Sequence, residues 1–125
     1  MDERERHDKG MTVRRAVLGD AHVDRTMTRK NPFNAEFQEL ITRYAWGEIW
    51  TRPGLTRAER SIITLTALAL LRQEHELGMH IRGALRNGLS AAQIQEVFLQ
   101  LAIYAGVPAA NRAFAIASEI LESAT

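Results

Sequence analysis

Thr56-Arg-Ala-Glu-Arg60-Ser-Ile-Ile-Thr-Leu65-Thr-Ala-Leu-Ala-Leu70-Leu71 is the stretch on which the fold turns. Thr56 and Glu59 make a capping-box pattern, in which a threonine oxygen and a glutamate side chain satisfy orphan backbone donors at a helix start. Apolar residues then recur nearly all round a helical wheel, without the alternation of a strand. This predicts a helix to about Gln73, buried at the centre of the protein. Arg60 falls in its first turn, where the helix dipole disfavours a cation. Either a surface salt bridge or an anion bound beside Arg52 explains it.

Downstream, Glu74 to Asn87 reads as a helix ended by Gly88 in a left-handed cap. Ser90 and Gln93 form a second capping-box pattern, opening a helix through Ile94, Phe98, Leu101 and Ala105. Gly106-Val-Pro108 stops it and starts another, with Ala110, Ala113, Ala117 and Ile120 facing inward. Upstream, Asn31-Pro32 starts a helix to about Trp46, whose stripe of Phe33, Phe37, Leu40, Ile41, Tyr44 and Ala45 faces the core. Gly47 and Arg52-Pro-Gly54 break it, leaving Glu48, Trp50 and Arg52 on an irregular segment. Residues 1–30 are a polar arm, weakly helical up to Gly19. The arm has too little apolar surface to fold alone, so it packs on the body or on a neighbouring subunit. The chain is therefore expected to be all-α, with five or six helices in one domain over residues 1–125, arm 1–30 and helical body 31–125.

The 125 residues are 46% hydrophobic and 25% charged, with a formal net charge of +1. Cations crowd the first half, yet acids are interspersed and no basic run appears, which argues against a nucleic-acid partner. The absence of cysteine excludes disulfides, thiolate zinc sites and thiol redox chemistry. The charged start carries no signal-peptide pattern. The longest apolar run, interrupted by Thr64 and Thr66, is too short to span a bilayer, so no membrane partner and a cytoplasmic location are expected.

Polar chemistry gathers in two places. Trp46, Glu48, Trp50, Arg52 and Arg60 crowd one stretch, and Glu76 and His80 stand four apart on the next helix. That spacing puts carboxylate and imidazole on one side, about a turn apart, where the first can orient the second and favour its protonated form. The alternative is a helix-surface ion pair worth about 0.2–0.5 kcal/mol. His75 and His80 diverge by about 140° on a helix of ~3.6 residues per turn, which disfavours a two-histidine metal site. No glycine-rich phosphate loop and no serine nucleophile in a recognisable turn appears. Neither a metal nor an organic cofactor is expected.

Trp46-Gly-Glu-Ile-Trp-Thr-Arg-Pro-Gly-Leu55, Arg60-Ser-Ile-Ile-Thr-Leu65, Glu76-Leu-Gly-Met-His80, Asn87-Gly-Leu and Ile103-Tyr-Ala-Gly-Val-Pro-Ala-Ala110 together resemble the γ-carboxymuconolactone decarboxylase family. Gly10-Met-Thr-Val-Arg-Arg-Ala-Val-Leu-Gly-Asp-Ala-His-Val-Asp24 resembles its decarboxylases more than its looser relatives. The resemblance implies the alkylhydroperoxidase-like all-α fold and a homo-oligomer, hexamer or trimer. Peroxidase relatives carry Cys-x-x-Cys-x-x-x-His, and registering on His80 puts Gln73 and Glu76 at the cysteine positions. The implied reaction is loss of CO₂ from 4-carboxymuconolactone, a small lactone carboxylate, to give β-ketoadipate enol-lactone. The implied roles are His80 as proton donor or oxyanion partner, oriented by Glu76, and Glu48 as proton relay or as a charge crowding the departing carboxylate. Arg52 and Arg60 would grip carboxylate, with Trp46, Trp50 and Tyr104 as dry walls. The alternatives are a cofactor-free lactonase or isomerase, and a non-catalytic oligomer that binds a small anion.

Overall fold

Residues 1–123 of the computed structural model fold entirely as helices and short turns. The order is α1 (Glu3–Leu18), α2 (Asp20–Thr28), α3 (Ala35–Ile41), a π-helical segment (Thr42–Ile49), α4 (Arg57–Leu70), α5 (Glu74–Arg86), α6 (Ala91–Ala105) and α7 (Val107–Ser123). The all-α expectation holds. The body supplies five of these helices if α3 and its π-helical continuation count as one, and the arm adds two more, ended and joined by Gly19 at φ +88°. The chain divides into two compact units, Met1–Thr56 and from Arg57 onward.

In the first unit α1 runs antiparallel to α3 and the π-helical segment. Arg14 meets Gln38 and Thr42, Gly10 meets Thr42 and Gly47, and Arg6 meets Gly47 and Glu48. The arm thus packs within its own chain, on the segment that follows it. Two glycines set the distance. A Cβ on Gly10 would fall 2.9 Å from the Gly47 nitrogen and closer still to the Thr42 carbonyl oxygen. A Cβ on Gly47 would fall 2.9 Å from Arg6 Cγ and collide with the Arg6 carbonyl oxygen. Gly47 therefore does not end the upstream helix, as its type suggests, because it is used for close approach. The helix instead widens at Thr42 into π geometry and continues to Ile49, closed by the Trp50 N–H donating to Ala45 O at 2.9 Å. Glu48 consequently lies on a helix and not on an irregular loop. The expected core stripe is also corrected: Phe33 is 98% exposed, and Phe37, Leu40 and Tyr44 are each more than half exposed.

The second unit is built on local signals that work as expected. Ser90 Oγ accepts from the Gln93 N–H while Gln93 Oε1 accepts from the Ser90 N–H, completing the capping box of α6. Gly88, at φ +99°, ends α5 in a Schellman motif, with Leu89 N–H donating to Ala84 O and Gly88 N–H to Leu85 O. The end of α4 uses the same bonds, Gln73 to Leu68 O and Arg72 to Ala69 O, with Arg72 at φ +59° in the position glycine usually fills. That is why α4 stops at Leu70 and not at Gln73. The core joins Leu65 and Ala69 of α4, Leu77, Ile81 and Ala84 of α5, Phe98 of α6 and Ala113 and Ile120 of α7. Phe98 meets Phe114 edge-on at 5.6 Å. Only one stripe of α4, Ser61, Leu65 and Ala69, is buried. Ile63, Leu70 and Leu71 are exposed, so the central helix is less enclosed than its composition suggests. Among the described residues no helix is long and apolar enough to cross a membrane.

The crossing yields a test whose sign is decided by packing. On an open helix, glycine to alanine stabilises by roughly 1 kcal/mol. Gly47→Ala must instead push α1 away, and the expected loss is about 1–3 kcal/mol, read as a lower urea midpoint. Gly54→Ala, where a Cβ meets nothing within 4 Å, serves as the neutral control. An unchanged or raised midpoint for Gly47→Ala would contradict the crossing.

Candidate active site

The residues picked out in the sequence divide between the units: Trp46, Glu48, Trp50 and Arg52 in the first, Arg60, Glu76, His80 and Tyr104 in the second. In the first, the π-helical segment places Trp46 and Trp50 four residues apart with their rings stacked, centroids 5.1 Å apart and planes 30° apart. Trp46 is buried and Trp50 half-buried. Glu48 lies between them in sequence, half-buried, its Oε2 3.2 Å from Arg6 Nε. The chain then turns. Thr51 Oγ1 donates to Gly47 O at 2.7 Å, the Arg52 N–H donates to Ile49 O at 3.1 Å, and Arg52 is exposed just beyond the helix.

Arg6 also meets Glu3 at 2.7 Å, and Glu3 meets Arg43 Nε at 3.1 Å. Arg43 reaches Glu39 at 3.9 Å, and Glu39 holds Lys30 at 2.6 Å and His7 Nε2 at 3.2 Å. Glu48 is thus one end of a chain of alternating charges along α1 and the π-helical segment. The Lys30 hydrogen bond, with the charges of His7 and Arg43, holds the Glu39 carboxyl below its ordinary range. Deeper in the same unit, Arg14 is only 4% exposed. Its Nη1 donates to Thr42 Oγ1 at 3.1 Å and its Nη2 to Gln38 Oε1 at 3.0 Å, and burial lowers its pKa. Thr42 Oγ1 donates in turn to Gln38 O at 2.8 Å, at the residue where the helix widens.

In the second unit Arg60 is half-buried in the first turn of α4. Its neighbour Ser61 is fully buried and accepts a 2.9 Å hydrogen bond from Asn87 Nδ2, tying α4 to the end of α5. On α5, His80 is half-buried, whereas Glu76 is exposed. A solvated carboxylate one turn away biases an imidazole only weakly. Tyr104, 78% exposed on α6, lines a groove of about 460 Å³ with Ile62, Thr66, Glu96, Val97 and Gln100. None of Arg60, Glu76 or His80 lines that groove. Among the described residues no three His, Asp or Glu side chains gather as metal ligands.

Sequence reasoning missed Arg6 and Arg14. Both look like ordinary members of a charged helix. The available signal was Gly10, a glycine in the middle of α1 four residues from each of them, since a glycine inside a helix marks a close backbone approach.

The sequence profile described as the carboxymuconolactone decarboxylase family matches residues 35–119. The 4-carboxymuconolactone decarboxylase of Acinetobacter baylyi is 43% identical over 122 residues, 98% of this chain and 91% of that protein. The nitrosuccinic acid decarboxylase npaB of Metarhizium robertsii is 40% identical over 114 residues, 91% of this chain and 80% of that protein. A 48-residue 4-carboxymuconolactone decarboxylase sequence from Pseudomonas putida is 67% identical over its whole length, 38% of this chain.

Proposed function

The chain belongs to the carboxymuconolactone decarboxylase family, and from that premise we propose that it decarboxylates 4-carboxymuconolactone to β-ketoadipate enol-lactone. The observation that carries the proposal is the 43% identity over 98% of the chain to a decarboxylase of that name. The chemistry suits a protein of this composition. The leaving carboxylate sits on the γ carbon of an unsaturated lactone. When its C–C bond breaks, the electron pair moves through the ring double bond onto the lactone carbonyl oxygen as a dienolate. A proton added to the carbon beside that carbonyl then gives the enol-lactone and restores the carbonyl. The protein's tasks are to grip the remaining carboxylate, stabilise the oxyanion and supply the proton.

Residue by residue, half-buried His80 is the proton donor or oxyanion partner. Glu76 assists from solvent, so its contribution is small. Arg52 and Arg60 bind carboxylate, for which a planar guanidinium fork is suited. Glu48, facing Arg6, acts as an anion, either relaying a proton or disfavouring the charged form of the departing carboxylate. Trp46 and Trp50 form an apolar wall beside it. The 40% identical nitrosuccinic acid decarboxylase favours a second substrate within the same class. In nitrosuccinate, too, a carboxylate leaves from a carbon whose electrons have a sink, the nitro group.

A homo-oligomer is the further part of this reading. Phe37, Leu40 and Tyr44, with Phe33 in the turn before α3, are exposed in the first unit. In the second, Leu99, Ile103, Tyr104 and Val107 are exposed along α6 and at the start of α7. Such apolar surfaces are normally covered, and the commonest cover is a second copy.

Three measurements follow. Incubation with 4-carboxymuconolactone should release one CO₂ per lactone consumed, faster than with nitrosuccinate. His80→Ala should lower kcat by about 10²- to 10⁴-fold with little change in melting temperature. Acid release without CO₂ would mark a lactonase, and near-normal turnover of His80→Ala would remove His80 from the chemistry. Sedimentation at micromolar concentration should give a species larger than the 14.1 kDa chain; a monomer would contradict the oligomer.

A further inference from the structure

We infer that Arg6, on the arm outside the profile-matched residues 35–119, is a positioning residue that fixes the Glu48 carboxylate. The inference rests on Glu48 acting in the decarboxylation. Arg6 Nη1 donates a 2.7 Å hydrogen bond to Glu3 Oε1, while its Nε stands 3.2 Å from Glu48 Oε2 in an ion pair that lacks hydrogen-bond geometry, so one guanidinium anchored by Glu3 faces the Glu48 carboxylate. Glu3 is held from its other oxygen by Arg43 Nε at 3.1 Å. The backbone is arranged for this contact. Arg6 is the residue whose carbonyl oxygen and Cγ occupy the space where Gly47 would carry a side chain, and Gly47 immediately precedes Glu48. Any residue other than glycine there would push Arg6 away from its partner.

Both ends of the pair are partly solvated, with Arg6 and Glu48 side chains 30% and 40% exposed. A pair of that kind adds little to stability. Its consequence is orientation. On its own, a glutamate near the end of a helix samples several rotamers. Attracted to a cation that Glu3 holds in place, its carboxylate is drawn toward one rotamer. Losing the clamp should therefore slow the chemical step and leave carboxylate binding by arginine intact, which separates kcat from KM.

The test is a double-mutant cycle in steady-state turnover of 4-carboxymuconolactone with Arg6→Met, Glu48→Gln and the combination, and with Arg6→Lys as a charge-preserving rescue. Arg6→Met is expected to lower kcat about 10- to 100-fold, with KM within about twofold and the melting temperature within a few degrees of the parent. Arg6→Lys should recover a large part of the loss. The double variant should be no slower than Glu48→Gln alone, because once the carboxylate is gone there is nothing left to position. If Glu48→Gln is impaired but Arg6→Met is fully active, or the two losses multiply, Arg6 does not act through Glu48 and the inference falls. Should Glu48→Gln itself keep full turnover, the role given to Glu48 fails first and the inference falls with it. Should Arg6→Met fail to fold, Arg6→Gln takes its place: a kcat lowered toward that of Glu48→Gln at a parental melting temperature supports the clamp, and a parental kcat overturns it.

Discussion

The close crossing of α1 over the π-helical segment at Gly10 and Gly47 governs the first unit. Two helices can bring backbone against backbone only where neither carries a side chain, and both glycines lie where a Cβ would collide with the opposing main chain. From that contact the rest of the unit takes its register. Four residues toward the C-terminus of α1, Arg14 is driven inside and bonds to Thr42 and Gln38, the residues at the junction where the helix widens. Four residues toward the N-terminus, Arg6 comes to face Glu48. A buried arginine without an acid in its hydrogen-bond set is costly unless its donors are satisfied, and here two neutral oxygens satisfy two of them. The widened turn then brings Trp46 and Trp50 into a stack with Glu48 between them in sequence.

Signals confined to a few neighbouring residues were legible in the sequence. Gly19, Gly88 and Gly106 all adopt positive φ at helix ends, and the Ser90 capping box forms as its spacing requires. These features depend on local backbone geometry, so no tertiary information is needed to see them. What depends on tertiary contact was not legible. Gly47 looked like a helix breaker because its type is the same whether it ends a helix or admits another backbone. The stripe from Phe33 to Tyr44 has the period of a core face, but periodicity reports that a face is apolar and not what covers it. Arg72 ends α4 in a conformation usually left to glycine, which its side chain does not announce.

Of the candidate site, the residue types were legible and their surroundings were not. Trp46 and Trp50 at four-residue spacing do stack, and Glu48 does sit beside them in the chain. Its partner Arg6, forty-two positions away, was marked only indirectly, by Gly10 one helical turn further on, and nothing in the sequence said which residue it would face. Glu76 and His80 keep the spacing that suggested a pair. The exposure of Glu76 shifts the weight of that side of the proposal onto the half-buried imidazole. Tyr104, expected as a wall of the site, lines a groove on the α6 surface with Ile62 and Val97.

The decarboxylation reading makes one demand on the protein beyond binding: the lactone carbonyl takes up the electron pair, and a side chain must return a proton to carbon from one side. Turnover in D₂O tests this directly, with the product read by NMR before its acidic position exchanges. The account predicts CO₂ release with a single deuterium at the carbon beside the lactone carbonyl, on one face only. Deuterium distributed equally over both faces, or absent from that carbon, would contradict it.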